Sequence, residues 1–247
     1  MPTLKKQLVS LAERILGVKI LRPHSLEPPA LMERFESEHL RKLFNYFQVD
    51  CVFDVGANAG QYFERIRAHG FHGPIVSFEP IPELASALGR RAKEDGNLFV
   101  EQIALDKGAG PRTFNVMAVS QFSSLHMPNN VASGGGNSIV RTLTVEAQTL
   151  DKIFQKWKET LGFKRPFLKL DTQGHDLAVI EGGQGVLPYF IGVQTELSAR
   201  PIYNGVPTYR EVLDFYDAHG FQLSAIVMNA DHFPDLFEMD AILLRTK

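Results

Sequence analysis

Cysteine is almost absent. The single Cys51 in 247 residues cannot close an internal disulfide, which excludes a scaffold stapled by such bridges. It opens an apolar stretch, where a thiol behaves as a small buried hydrophobe, and this usage fits a reducing, cytoplasmic compartment. Charge of one sign is lacking too: 26 Lys and Arg face 28 Asp and Glu, a net of −2. Without a global positive field to gather polyanions by counterion release, nucleic acid is not the expected partner. No run of about 18 apolar residues appears, and the first 20 residues lack a compact apolar segment with a small-residue cleavage site. Neither a membrane span nor an export signal is therefore expected. What is present is ordinary for a folded domain, with 44% hydrophobic and 22% charged residues, 20 Gly and 14 Pro, and length enough for a sizeable core.

The spacing along the chain predicts an α/β domain over 49–247 preceded by an N-terminal helical extension over 1–48. In the extension, Leu4, Leu8, Leu11 and Ile15 share one helical face, ringed by Lys5, Lys6, Arg14, Lys19 and Arg22. Such a helix lies on a membrane surface, packs on its own domain, or joins a second copy in a homo-oligomer. After a proline-rich break at 22–30, Leu40, Leu43, Phe44 and Phe47 mark a second helix. Then come a strand at Cys51 to Val55, a helix at Gln61 to His69, a strand at Ile75 to Phe78, a helix from Pro82 to Lys93 and a strand around Leu98 to Ala104. That rhythm belongs to a parallel sheet with right-handed crossovers. From about 111 to 148 it changes: Arg112 to Val119 and Ile139 to Ala147 alternate with period two around the glycine run 134–136, which predicts an inserted hairpin or flap with a flexible tip. The parallel pattern resumes with a helix on Leu150, Ile153, Phe154 and Trp157, a strand at Phe167 to Leu170, a short helix after Gly174 and a strand at Phe190 to Thr195. Thr208 and Glu211 have the form of a capping box. Two last strands, near 221–228 and 240–245, are joined by a loop and should be antiparallel neighbours.

The most informative segment is Asp54-Val55-Gly56-Ala57-Asn58-Ala59-Gly60, placed at the end of the first strand, where open parallel sheets bind ligands. Gly56 and Gly60 allow a sharp turn and a close backbone approach. Glu79, 25 residues after Asp54, ends the second strand, a suitable place to accept both hydroxyls of a ribose. A nucleoside-bearing cofactor is implied. An acid at the first position would repel a pyrophosphate but orient an ammonium, which points to S-adenosylmethionine over NAD. The missing Tyr-x-x-x-Lys pair argues the same way. An NAD-dependent oxidoreductase and a non-catalytic binding module stay as alternatives.

These segments, with Phe78-Glu79-Pro80, Ser123-Ser124-Leu125, Thr149-Leu150-Asp151 and Leu168-Lys169-Leu170-Asp171-Thr172-Gln173-Gly174 followed by Asp176, resemble the FkbM-type methyltransferases of the S-adenosylmethionine-dependent class I fold over about residues 50 to 247. One departure is that the family commonly carries Glu where this chain has Gln173. The resemblance implies a Rossmann-like three-layer sandwich, with a seven-stranded, mostly parallel sheet whose last strand is antiparallel. It implies methyl transfer, commonly to a hydroxyl oxygen of a sugar or other small molecule. Carried over by residue, it places Asp54, Gly56, Ala57, Asn58 and Gly60 around the methionyl part, Glu79 and Pro80 at the ribose, and Ala104 and Asp106 near adenine.

Transfer from a sulfonium carbon needs an aligned oxygen nucleophile and a base. Asp171, at the end of the fourth parallel strand, is the first candidate for base; His175 and Glu196 are the others, and Asp171 with Glu196 is the pair that would share a divalent ion if one is used. Gln173 offers an uncharged donor and acceptor to a ligand. Gln121, Ser123, Ser124 and His126 of the flap are candidates to close over a hydroxylated acceptor, and Tyr203 to floor its pocket.

Overall fold

The computed structural model describes residues 27–129, 138–228 and 234–246. The helix expected around Leu4 to Ile15 and the glycine run 134–136 lie outside the described residues. Prolines in the first turn start α1 (Pro28–Phe47), and Gln48 ends it in the left-handed conformation. Leu40, Leu43 and Phe44 of α1 join one buried cluster with Val52, Ile75, Phe167 and Ile242. The described part of the extension is thus core of the α/β unit.

The chain continues through β1 (Cys51–Val55), α2 (Gln61–Ala68), β2 (Ile75–Phe78), α3 (Pro82–Asp95) and β3 (Leu98–Glu101). The flap region holds β4 (Ala104–Leu105), β5 (Gly110–Met117) and β6 (Ile139–Gln148), and then come α4 (Leu150–Leu161), β7 (Pro166–Leu170), α5 (Asp176–Glu181) and β8 (Gly192–Ser198). The chain closes with α6 (Tyr209–Ala218), β9 (Phe221–Met228) and β10 (Glu238–Arg245). Seven strands form one sheet in the order β3-β2-β1-β7-β8-β10-β9. β1 lies parallel between β2 and β7, and β10 runs antiparallel to both β8 and β9. This is the expected Rossmann-like architecture, a seven-stranded, mostly parallel sheet whose last strand is antiparallel. The capping box at Thr208 and Glu211 forms as expected.

Two strands differ from expectation. The third ends at Glu101, and Ala104 and Leu105 leave the main sheet to pair with Ala147 and Gln148. They complete a separate sheet, β4-β6-β5, built on the antiparallel β5–β6 hairpin. The fifth begins later and runs to Ser198, because β10 pairs with it as far as Ser198–Glu238. Glu196 accordingly sits within a strand opposite Asp240 and not at a strand end.

Every residue of β1 and β7 is buried, as a parallel strand covered on both faces requires. Phe53 anchors one face, with ring centroids 5.5 Å from Phe163, 5.6 Å from Phe190 and 6.0 Å from Phe78 and Phe154; such aromatic pairs contribute about 0.5–1.5 kcal/mol each beyond area burial. The opposite face carries Asp54, Lys169, Gln194 and Glu196 beneath α1 and α2, so polar groups are drawn under the carboxyl edge. Among the described residues no helix is long and apolar enough to cross a membrane.

Candidate active site

A cavity of about 330 Å³ opens at the carboxyl edge of β1, β2, β7 and β8 and is walled on its outer side by the flap. The turn after β1 forms its floor. Gly56 has φ 78°, and a Cβ there would lie 1.9 Å from the carbonyl oxygen of Asp171, so only glycine lets this turn lie against the end of β7. Asn58, also left-handed at φ 47°, donates its backbone N–H to Glu79 at 2.7 Å, and Ile81 donates to the other carboxylate oxygen at 2.8 Å. Burial pushes Glu79 up to about 7; these two amides offset part of that, and Asp54 adds to it. Gly56, Ala57, Asn58, Glu79, Pro80 and Ala104 all line the cavity. Gly60 does not: it caps α2 with φ 89°, and a Cβ on it would meet Leu88 and Arg91, so its role is packing.

Asp54 lies beneath the wall. It is fully buried, Ser77 donates to its Oδ2 at 3.2 Å and the Lys169 ammonium stands 3.1 Å from Oδ1. Asp54 itself does not line the cavity; Lys169, its ion-pair partner, does. Burial works to lower the pKa of Lys169, but Asp54 and Asp171 overcome this and hold it above its ordinary value.

Asp171 follows β7, with its backbone N–H on Val55 O at 3.1 Å. Its Oδ2 is 3.4 Å from Lys169 Nζ and its Oδ1 accepts from Gln173 Nε2 at 3.1 Å. The same amide nitrogen donates to Glu196 Oε2 at 3.1 Å. Asp171, Gln173 and Glu196 all face the cavity, with Glu238 beside them. Burial first, then Glu238, Asp171 and the other neighbouring acids, drives Glu196 well above the ordinary carboxylate value, which favours its protonated form. Burial, then Asp171 and Asp176, pushes Glu238 up to about 7. The space between Asp171 and Glu196 is bridged by the amide rather than left open for a divalent ion, and among the described residues no group of three metal-ligating side chains converges.

His175 lines the cavity, but both ring nitrogens are engaged, Nε2 with Asp106 Oδ1 at 2.9 Å and Nδ1 with His126 Nε2 at 3.1 Å. No ring nitrogen is left to face a substrate, which removes the geometric basis for a general base here. Asp106 is outside the lining: it holds His175, accepts from Arg112 Nε at 2.6 Å and takes the Lys107 amide. Burial works to raise its pKa, and these donors outweigh it. Its carboxylate is thus committed to the flap and not turned to an adenine. His126 lies behind His175; burial and the neighbouring ring lower its pKa. Gln121 and Ser123 line the cavity. Ser124 instead donates to Gln173 O at 2.8 Å and pins the flap to the β7 loop. Tyr203 is buried behind Gln173, with its hydroxyl 2.8 Å from Phe122 O and 3.0 Å from Gln173 Oε1. It supports the site and does not floor it.

Sequence reasoning missed Lys169 as a wall residue, along with Tyr62, Arg65 and Glu238. Period-two alternation in β7 placed Lys169 on the face of Asp54, the one signal that was available. The Tyr62 hydroxyl and Arg65 Nε are buried without a hydrogen-bond partner, donors of the kind a ligand carboxylate satisfies.

The chain matches the family model of the methyltransferase FkbM domain over residues 54–223. No curated protein matches it. Among solved structures it is similar to the magnesium protoporphyrin IX methyltransferase of Synechocystis PCC 6803 with bound SAM, at TM-score 0.48 and 9% identity over 96% of this chain and 90% of that one. It is also similar to a putative caffeoyl-CoA O-methyltransferase from Staphylococcus aureus, at TM-score 0.46 and 8% identity over 97% and 91%.

Proposed function

The chain belongs to the FkbM methyltransferase family and is an S-adenosylmethionine-dependent methyltransferase; on that premise we propose that it methylates a hydroxyl oxygen of a small molecule, with Asp171 as the base. The donor's fit rests on three features of the cavity. Glu79, held at both oxygens by backbone amides, has lone pairs left for ribose hydroxyls. Tyr62, Arg65 and Lys169 offer donors for the carboxylate of the amino-acid end. Apolar Ile103, Ala104, Leu105 and Phe114 form the wall against which an adenine would lie. When bound, S-adenosylmethionine supplies an electrophilic methyl group on a positive sulfur.

One observation carries the choice of base: the Asp171 side chain is 44% exposed and opens into the cavity, whereas Asp54 and Asp176 are buried and Asp106 is tied to the flap. An acceptor hydroxyl placed against Asp171 gives up its proton to the carboxylate as its oxygen takes the methyl group. The Lys169 ammonium stands 3.4 Å from Asp171 Oδ2 and helps to orient that carboxylate. The net charge of −2 gives the chain no positive field to gather a phosphate backbone, which favours a small hydroxylated acceptor over nucleic acid.

Two measurements test this. Calorimetric titration should show S-adenosylhomocysteine binding and no NAD binding. Methyl-labelled donor should then transfer label to a member of a panel of methyl glycosides, hydroxy acids and phenols, with Asp171→Asn cutting turnover about a hundredfold while keeping S-adenosylhomocysteine affinity within about threefold. Transfer to amines but not to hydroxyls, or full turnover by Asp171→Asn, overturns the proposal.

A further inference from the structure

Gln173 has the geometry of a clamp. Its backbone is left-handed, φ 55°, a conformation that a non-glycine residue adopts at a cost and that here turns the side chain into the cavity wall. The residue is 7% exposed. Its amide has two N–H groups and one oxygen, and each finds one kind of partner: Nε2 is 3.1 Å from both Asp171 Oδ1 and Glu196 Oε2, and Oε1 is 3.0 Å from the Tyr203 hydroxyl. The orientation of that amide is fixed by chemistry. Reversed, it would aim an oxygen at the Asp171 carboxylate, which can only accept. Tyr203 stays a donor because burial, then Glu238, Glu196 and Asp171, raise its pKa. Tyr203 is itself held by the flap: its neighbours Ile202 and Asn204 exchange backbone hydrogen bonds with Asn129 and Met127, and its hydroxyl also reaches Phe122 O at 2.8 Å.

We propose that Gln173, oriented by Tyr203, is a positioning residue that takes the place of a shared cation between Asp171 and Glu196, holding the Asp171 carboxylate toward the acceptor so that transfer needs no divalent metal. The inference rests on the assignment of Asp171 as base. One amide nitrogen donates both to the Asp171 carboxylate and to the neighbouring Glu196 carboxyl group, and it fixes a rotamer that the Lys169 contact alone, at 3.4 Å, would leave loose. The flap is coupled to the base through the same path, from Phe122 and Met127 to Tyr203, to Gln173 and on to Asp171.

The test uses the full chain, methyl-labelled S-adenosylmethionine and the acceptor from the hydroxyl panel that takes most label. Gln173→Leu should lower kcat about thirtyfold and Tyr203→Phe about fivefold, both with acceptor KM and S-adenosylhomocysteine affinity within about threefold. EDTA and added magnesium chloride should leave the wild-type rate unchanged. Gln173→Leu with wild-type kcat overturns the clamp, and so does wild-type turnover that EDTA abolishes and magnesium restores. Asp171→Asn, run alongside, separates the two levels of failure. Full turnover by Asp171→Asn removes the base assignment and the clamp together, whereas an inactive Asp171→Asn beside a fully active Gln173→Leu removes the clamp alone.

Discussion

The Lys169 ammonium lies 3.1 Å from Asp54 Oδ1 and 3.4 Å from Asp171 Oδ2, so one cation on β7 joins the acid of the first strand to the candidate base of the neighbouring one. It also reaches Gly56 O at 3.2 Å, which ties the glycine turn to the same charge.

Breaking that pair leaves a buried charge uncompensated. Lys169→Met should cost about 3–5 kcal/mol, because Asp54 is fully buried and has no other cation within ion-pair distance among the described residues. Adding Asp54→Asn should restore part of the loss. Urea unfolding of the two single variants and the double variant measures the coupling, and additive losses would show that the pair is not coupled.

Glu79 makes stability and affinity depend on pH in opposite directions. Its folded pKa of about 7 stands above the ordinary 4.5, so between those values the folded chain binds more protons than the unfolded one. Its contribution to stability is full below pH 4.5 and is lost as the pH rises through 7. A ribose donating to the ionised carboxylate favours the deprotonated form. S-adenosylhomocysteine should therefore bind about tenfold more tightly at pH 8 than at pH 6, and Glu79→Gln should bind weakly with little pH dependence. Calorimetry across that range checks both.

Two glycines with similar backbones should respond differently to alanine. Gly56→Ala forces a Cβ to 1.9 Å from a backbone oxygen at φ 78°, whereas at Gly70, φ 90°, nothing lies within 4 Å of the added carbon. The first should cost about 3 kcal/mol or more and abolish S-adenosylhomocysteine binding; the second should cost about 1 kcal/mol through conformation alone and leave binding intact. Chemical denaturation and calorimetry distinguish them.

Asp176 is a structural acid. It is buried and accepts from Thr172 N at 2.9 Å, Thr172 Oγ1 at 2.5 Å, Thr195 Oγ1 at 2.8 Å and Glu196 N at 2.9 Å, joining the ends of β7 and β8. Asp176→Ala would orphan two backbone N–H groups and should cost about 3 kcal/mol. Asp176→Asn, which keeps one acceptor oxygen, should cost less. A loss under 1 kcal/mol for the alanine variant in urea unfolding would contradict this role.

Much of this was legible along the chain. The Asp54 to Gly60 turn, Glu79 and Asp171 could be placed at strand ends because apolar runs bounded by glycine and proline mark those ends locally. Glu196 was misplaced because a neighbouring strand, β10, decides how far β8 extends. Asp106 and His175 carried no sign that each occupies the other, since 69 positions separate them.

By itself the sequence determined the alternation of strands and helices, the glycine turn and the types of side chain delivered to the sheet edge. These follow from period, propensity and capping, which act over a few residues. Only the tertiary structure decided which of several acids is open to the cavity. Lys169 pairs with Asp54, Arg112 and His175 engage Asp106, and backbone amides hold Asp176, whereas Asp171, Glu196 and Glu238 line the cavity, because hydrogen bonding and burial are set by neighbours in space that lie far apart along the chain.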